Sequence, residues 1–339
     1  MSNQLEANRF SALDGWRGLS ILFVLAAHML PLGPKSWQLN FTAGVIGMSL
    51  FFTLSGFLIT SFFIKNSSIV DFFIRRLFRI LPLAWLYIVL AMILSKATFG
   101  MWLANLLFIA NWPPMQLVEV GGHLWSLCVE VQFYICIALL FALLRHRGLL
   151  LLPLLGLGIT LFRIDNGVHV AINTYFRVDE ILAGSTLALV YFNKFGDLPR
   201  KIISGFNPWV VLVLLLVSSH PDSGFMNYLR PYLAGILVGI TITKKNESMS
   251  TYLNNRWLIY LAAISYALYV IHPLLMYSWL GSGDVFERYA KRPLLFIVLW
   301  MLAHFSTYYY EHKCISYGKS LSKRLQRGTV SGIRREEQG

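Results

Sequence analysis

The sequence predicts an all-α protein, a polytopic integral membrane helix bundle of about ten transmembrane helices plus a re-entrant segment. Three observations lead there. Hydrophobic residues make up 56% of the chain and charged residues 13%, and a mean hydropathy of +0.59 leaves too little polar surface to cover a soluble globule of 339 residues. Uncharged runs recur along nearly the whole length, and several, such as 36–64, 202–221, 257–283 and 293–310, approach or exceed the ~20 residues that a helix needs to cross hydrocarbon. These runs lack the period-two alternation of barrel strands, and backbone groups in lipid must be satisfied within the segment, which favours helices.

Taken in order, the spans fall at 18–33, 43–64, 80–95, 124–144, 148–162, 178–192, 208–219, 229–243, 258–280 and 293–310. An eleventh run, 101–111, is short and stops before Pro113 and Pro114, so it reads as re-entrant. Charge supports that choice. With ten spans and a cytoplasmic N-terminus, 21 of the 29 Lys and Arg residues lie in cytoplasmic segments. A full crossing at 101–111 would turn every later loop, and the basic end of the chain, to the other side. Both termini are therefore expected in the cytoplasm of a multi-pass protein. The single membrane domain is expected over residues 1–312, followed by a solvated basic cytoplasmic tail, 313–339, able to touch anionic lipid.

The net charge of +13 and the pI near 9.7 do not point to nucleic acid, because the basic residues sit in short loops between apolar runs. Cys128, Cys136 and Cys314 have neither metal-ligand spacing nor a disulfide framework and read as packing residues. No metal is expected. The first apolar run lacks a small-residue cleavage pattern, so it is not read as a removed signal peptide.

Ionisable residues inside such spans face a cavity or a partner, because lipid exposure costs an arginine at the bilayer centre roughly 2.5–3.5 kcal/mol or more. In "WRGLSILFVLAAHM", Arg17 and His28 are eleven residues apart, or three helical turns plus only ~20°, so both project from one face about 16 Å apart along the axis. This puts Arg17 at the cytoplasmic rim and His28 at or beyond the midplane. In "FFIRRLFRILP", Arg76 and Arg79 share a face at the cytoplasmic entrance of the third span, with Pro82 suited to a first turn. Paired guanidiniums near a helix N-terminus suit phosphate. In "HLWSLCVEVQFY", Glu130 sits within an apolar helix and must pair, accept hydrogen bonds or be protonated. Structural alternatives are an anchor ring of arginines and an ion pair between helices. Arg177, Asp179 and Glu180 in "FRVDEILAG" are expected to pair locally. His272 in "ISYALYVIHPLL" is read first as a packing or kink residue, next to a proline whose missing N–H frees a carbonyl. Gly15, Gly18, Gly47 and Gly56 are expected where helices approach closely.

Together with "SLFFTLSGFLIT", these motifs resemble, in order and spacing, the membrane acyltransferase-3 family, which includes bacterial O-acetyltransferases of surface polysaccharides, lipopolysaccharide O-antigens, Nod factors and some antibiotics. The resemblance implies a protein of the bacterial inner membrane with an acetyl-CoA (acyl-CoA) donor and a glycan or lipid-linked saccharide acceptor. It implies that His28 is the essential catalytic residue, that Arg17 belongs to the same motif, and that Arg76 and Arg79 bind the donor. Glu130 matches the acidic position of the family's Trp-Ser-Leu-x-Val-Glu motif and is expected to assist catalysis or orient a substrate. Val131 stands where many members carry a second glutamate, which weakens any mechanism needing two carboxylates there. No hydrolase-like domain of the kind fused to some relatives is present in the sequence, so transfer is expected to finish in the membrane domain or with a partner. Two other classes fit the composition. A secondary transporter or flippase would use Arg17, His28 and Glu130 as a polar pathway, whereas a scaffold subunit would leave them structural.

Overall fold

Apolar helices gain little from burying greasy side chains in lipid, so close backbone contact at small residues must hold a membrane bundle together. The computed structural model describes the backbone of residues 2–244 and 248–336, and the side chains of 11–244 and 248–325. Lys245, which entered the charge argument, lies outside the described residues, as do 337–339 and the side chains of Arg9, Arg327, Arg334 and Arg335.

Among the described residues the chain is helical, with no strand. The helices are α1 (Ser2–Met29), α2 (Leu39–Lys65), α3 (Ile69–Leu94), α4 (Phe99–Leu106), α5 (Trp125–Leu149), α6 (Leu152–Asp165), α7 (Thr174–Arg177), α8 (Asp179–Tyr191), α9 (Asp197–Gly205), α10 (Pro208–Ser219), α11 (Arg230–Thr243), α12 (Ser248–Leu253), α13 (Arg256–Met276), α14 (Val285–Phe305) and α15 (His312–Glu336). A π-helical turn, Ser306–Glu311, joins the last two. The end of the bundle where α1 begins and α2 finishes is called the basic end below.

Six stretches among the described residues are long and apolar enough to cross a membrane: Lys35–Lys65, Ile69–Leu94, Gly122–Leu149, Pro221–Thr243, Arg256–Met276 and Val285–Leu325. The pair α9 and α10, bent by 84°, makes a seventh if counted as one span. This is fewer than the ten expected. The shortfall has a physical origin: α6, α8 and α10 have 14, 13 and 12 residues, about 18–21 Å of helix against ~30 Å of hydrocarbon. Helix α1 is held below the threshold by its charged first half. α2 occupies the centre, its most apolar window 78% buried, whereas the window of 285–325 is 17% buried and forms the periphery.

The segment read as re-entrant holds only α4, eight residues long. It folds back along α3, with Trp85 Nε1 donating to the Leu106 carbonyl at 3.2 Å and Tyr87 Oη to that of Val120 at 2.7 Å.

Two expectations are corrected. Pro82 lies inside α3, which begins thirteen residues earlier at Ile69 with Ser68 as its cap. The chain ahead of the arginine pair is helical because Asp71, in the first turn, is held by Asn66, Arg75 and Ser322. Residues 313–325, the described part of the expected solvated tail, are helical and lie against α3, with Ser322 buried and Gly318 pressed on the Phe78 ring. Of the cysteines read as packing residues, Cys128 is buried, but Cys136 is exposed on the flank of α5.

Glycines set the helix contacts. A Cβ at Gly56 of α2 would overlap the Ile181 carbonyl of α8, and one at Gly184 of α8 would overlap the Thr53 carbonyl of α2, so the two backbones touch reciprocally. Gly15 and Gly18 of α1 meet the Leu253 and Leu258 carbonyls in the same way, and a Cβ at Gly47 would sit 2.8 Å from the Ser20 carbonyl. α1 is thereby wedged between α2 and α13.

At the end away from the basic loops, a buried charge network joins α6, α7, α8 and α11. Glu180 accepts from Arg230 Nε at 3.0 Å and from Ser49 Oγ at 2.7 Å, and its other oxygen lies 3.3 Å from Arg177 Nε. Asp179 pairs with Arg163. The local pairing expected for Arg177 and Glu180 is present, and it extends to two arginines distant in sequence.

Replacing Gly184 by alanine is expected to cost about 1–3 kcal/mol through overpacking, read as a lowered unfolding midpoint of the detergent-solubilised protein; an unchanged midpoint would mean that α2 and α8 separate freely. Glu180→Leu leaves two buried guanidiniums without their shared carboxylate and is expected to cost about 3–5 kcal/mol. The same midpoint measures it, and wild-type behaviour would show that the network is not a clamp.

Candidate functional site

The site is built on α1. Its last turn holds His28, and the chain there is pinned by Asn40 of α2, whose Nδ2 donates to the carbonyls of Ala27 at 2.8 Å and Leu30 at 2.6 Å. These are carbonyls that a helix end leaves unpaired. His28 is therefore in the final turn of the helix and exposed on its flank; the expected span to residue 33 stops at Met29. Toward the basic end of the same helix, Arg17 is half-buried, 3.5 Å from Asp14.

Arg76 and Arg79 project from α3 toward α1 and α5, and both are half-buried. Neither guanidinium has a hydrogen-bond or carboxylate partner among the described residues; Arg76 stands over the Tyr134 ring at 5.8 Å. Because α3 starts two turns earlier, its N-terminus does not add a dipole at the pair, and the cationic character comes from the side chains alone. Planar guanidiniums without carboxylate partners suit phosphate oxygens.

Glu130 of α5 is buried. Its Oε1 accepts from Ser55 of α2 and, at 2.6 Å, from Tyr134 Oη one turn along its own helix. It makes no contact with His28, the partner that a catalytic orienting role would have required. His272 of α13 takes that place: its Nε2 lies 3.1 Å from His28 Nδ1, and the rings stack with centroids 5.1 Å apart. His123 follows, its ring 5.4 Å from that of His272.

Three cavities lie in series along α1. A vestibule of about 490 Å³ at the basic end is lined by Asp14, Arg17, Arg75, Arg76 and Arg79. Arg17, Arg76, Arg79 and Leu58 also line a narrow central cavity of about 60 Å³, where Glu130, Ser55, Tyr134 and Tyr266 complete the wall. Beyond it, an outer pocket of about 480 Å³ holds His28, His123, Asn40 and Arg177. Val24, Met48 and Tyr269 are common to the last two and form the partition. Tyr269 is fixed in that role, bonded to Ser126 Oγ at 2.6 Å and to the His123 carbonyl.

The structure thus gathers Arg17, Arg76, Arg79 and Glu130 around one cavity and sets His28 in the next. Sequence reading passed over Tyr134, although its four-residue offset from Glu130 on a helix was a usable signal. His272 is buried and reaches the carbonyl freed by Pro273, as a packing or kink residue would, and its contact with His28, 244 residues away, had no local signal. Tyr266 and Tyr269 carried no signal within an aromatic-rich span.

Residues 10–310 match the family described as "Acyltransferase domain". Among curated relatives, the chain is similar to O-acetyltransferase OatA of Staphylococcus aureus, 25% identical over 324 residues in both strain NCTC 8325 / PS 47 and strain MRSA252, covering 80% of this chain and 52% of the relative. The chain spans about half the length of these curated relatives. No solved structure matches. With the family match extending over nearly the whole described bundle, the chain belongs to the acyltransferase domain family.

Proposed function

We propose that this protein is a membrane O-acyltransferase that moves an acetyl group from cytoplasmic acyl-CoA to a hydroxyl of a cell-surface glycan or lipid-linked saccharide. The observation that carries the reading is the row of cavities linking three guanidiniums to His28. The protein is placed in the bacterial inner membrane with both termini cytoplasmic, with α1, α6, α8 and α10 completing ten passes beside the longer helices. The relatives named O-acetyltransferase support the choice of acetyl.

The nucleotide phosphates of the donor bind Arg76 and Arg79 at the vestibule, with Arg17 adding a third positive charge at the neck. The acyl arm enters the central cavity and brings its thioester toward the partition. Glu130, held by Ser55 and Tyr134, balances part of the guanidinium charge there. The acceptor occupies the outer pocket. His28 Nε2 takes the proton of its hydroxyl as the oxygen attacks the thioester carbonyl carbon. The C–S bond breaks, the thiolate leaves and is protonated to the thiol of coenzyme A, and the acetyl ester remains on the acceptor.

A flippase would have to widen the central cavity, about 60 Å³ in this conformation, before a sugar ring could pass.

Incubation of the purified protein with labelled acetyl-CoA and crude envelope glycolipid is expected to yield labelled glycolipid. His28→Ala should abolish this transfer in protein of normal abundance, and retained turnover would remove the histidine from the mechanism. The double variant Arg76→Ala with Arg79→Ala should raise the acetyl-CoA KM by roughly 10–100-fold, as expected when two charge-assisted contacts are lost, while leaving kcat within a few-fold. An unchanged KM would return both arginines to an anchoring role. Flux of glycolipid across sealed vesicles without acyl-CoA would favour transport instead.

A further inference from the structure

A general base must present a lone pair, and an imidazole with one ring proton has a single nitrogen to offer. Which nitrogen of His28 is available follows from α13. Pro273 has no N–H, so the carbonyl four residues earlier, that of Tyr269, lacks its helical donor. His272 Nδ1 lies 2.7 Å from that oxygen and 3.2 Å from the Leu268 carbonyl. Two carbonyl oxygens only accept, so the ring proton of His272 resides on Nδ1. Its Nε2 then carries the lone pair. The 3.1 Å contact of that nitrogen with His28 Nδ1 requires His28 to be the donor, which leaves Nε2 of His28 as the unprotonated nitrogen in the outer pocket.

We infer that His272 is a positioning residue that fixes the tautomer and ring plane of His28, with the carbonyl freed by Pro273 as the anchor of the pair. The bonds run in one direction, from the His28 Nδ1–H to His272 Nε2 and from the His272 Nδ1–H to the Tyr269 carbonyl. When His28 gains a proton at Nε2 during transfer, its Nδ1–H bond to a neutral acceptor strengthens, and no atom or proton is lost from the pair. His272 is buried and stacked on His28, so the ring has little freedom to rotate away. Its role here is support of a catalytic group in the sense established for oriented imidazoles.

The inference rests on the proposed general-base role of His28, and the test separates the two. Acetyl transfer from labelled acetyl-CoA to crude envelope glycolipid is measured for wild type, His28→Ala, His272→Phe and His272→Gln, all in lipid nanodiscs. His272→Phe keeps the packing but offers no acceptor, and kcat should fall roughly 100-fold with the acetyl-CoA KM unchanged. His272→Gln places an amide oxygen where Nε2 was, and should recover at least about tenfold of the loss. A merely structural residue would show no preference for Gln over Phe. An inactive His28→Ala with a fully active His272→Phe overturns the positioning role alone, whereas an active His28→Ala overturns both readings. Should the Phe variant fail to fold, magnetic resonance of isotopically labelled histidine rings in the wild-type protein decides. A protonated His28 Nδ1 is expected, and a proton on its Nε2 in the neutral ring would refute the inference.

Discussion

The separation of Arg17 from His28 is fixed by one uninterrupted helix, and that helix is held by backbone contacts at its glycines. Gly15 and Gly18 let α1 lie on the carbonyls of Leu253 and Leu258, and Gly47 lets α2 approach Ser20 from the other side. Lipid offers no hydrophobic drive between helices, so this proximity supplies the packing. Arg17 then borders the vestibule and the central cavity while His28 borders the outer pocket. A small rotation of α1 would misplace both ends together, because they share a face.

Much of this was legible in the chain. The eleven-residue interval between Arg17 and His28 and the three-residue interval between Arg76 and Arg79 are local geometry, and helical periodicity reports them directly. The glycines at close helix contacts were legible for the same reason. Span counting was weaker, because α6, α8 and α10 are short helices supported by neighbours, and hydropathy cannot see such support. Pro82 was misread because a proline fits a first turn, while α3 extends back to Ser68 through a cap and an Asp71 cluster completed by Ser322 from the far end of the chain. The pairing of His28 with His272 was out of reach, being a contact between the first helix and the thirteenth.

The charge network at the far end shows the same rule in another form. Arg163, Arg177 and Arg230 are buried where α6, α7, α8 and α11 meet, and Asp179 and Glu180 bind them together. Desolvating these groups is costly, and the two carboxylates offset that cost only while every helix of the cluster stays in place. The outer pocket, with Arg177 on its wall, therefore borders this cluster.

Tyr269 serves three neighbours at once. Its ring separates the central cavity from the outer pocket, its hydroxyl is tied to α5 and to the His123 carbonyl, and its own carbonyl lies 2.7 Å from His272 Nδ1. Tyr269 and His272 lie one turn apart on α13, so a turn of this helix that moved the partition would move the imidazole contact with it. The width of the passage and the alignment of the two imidazoles are thus set by one residue, so neither can change without the other.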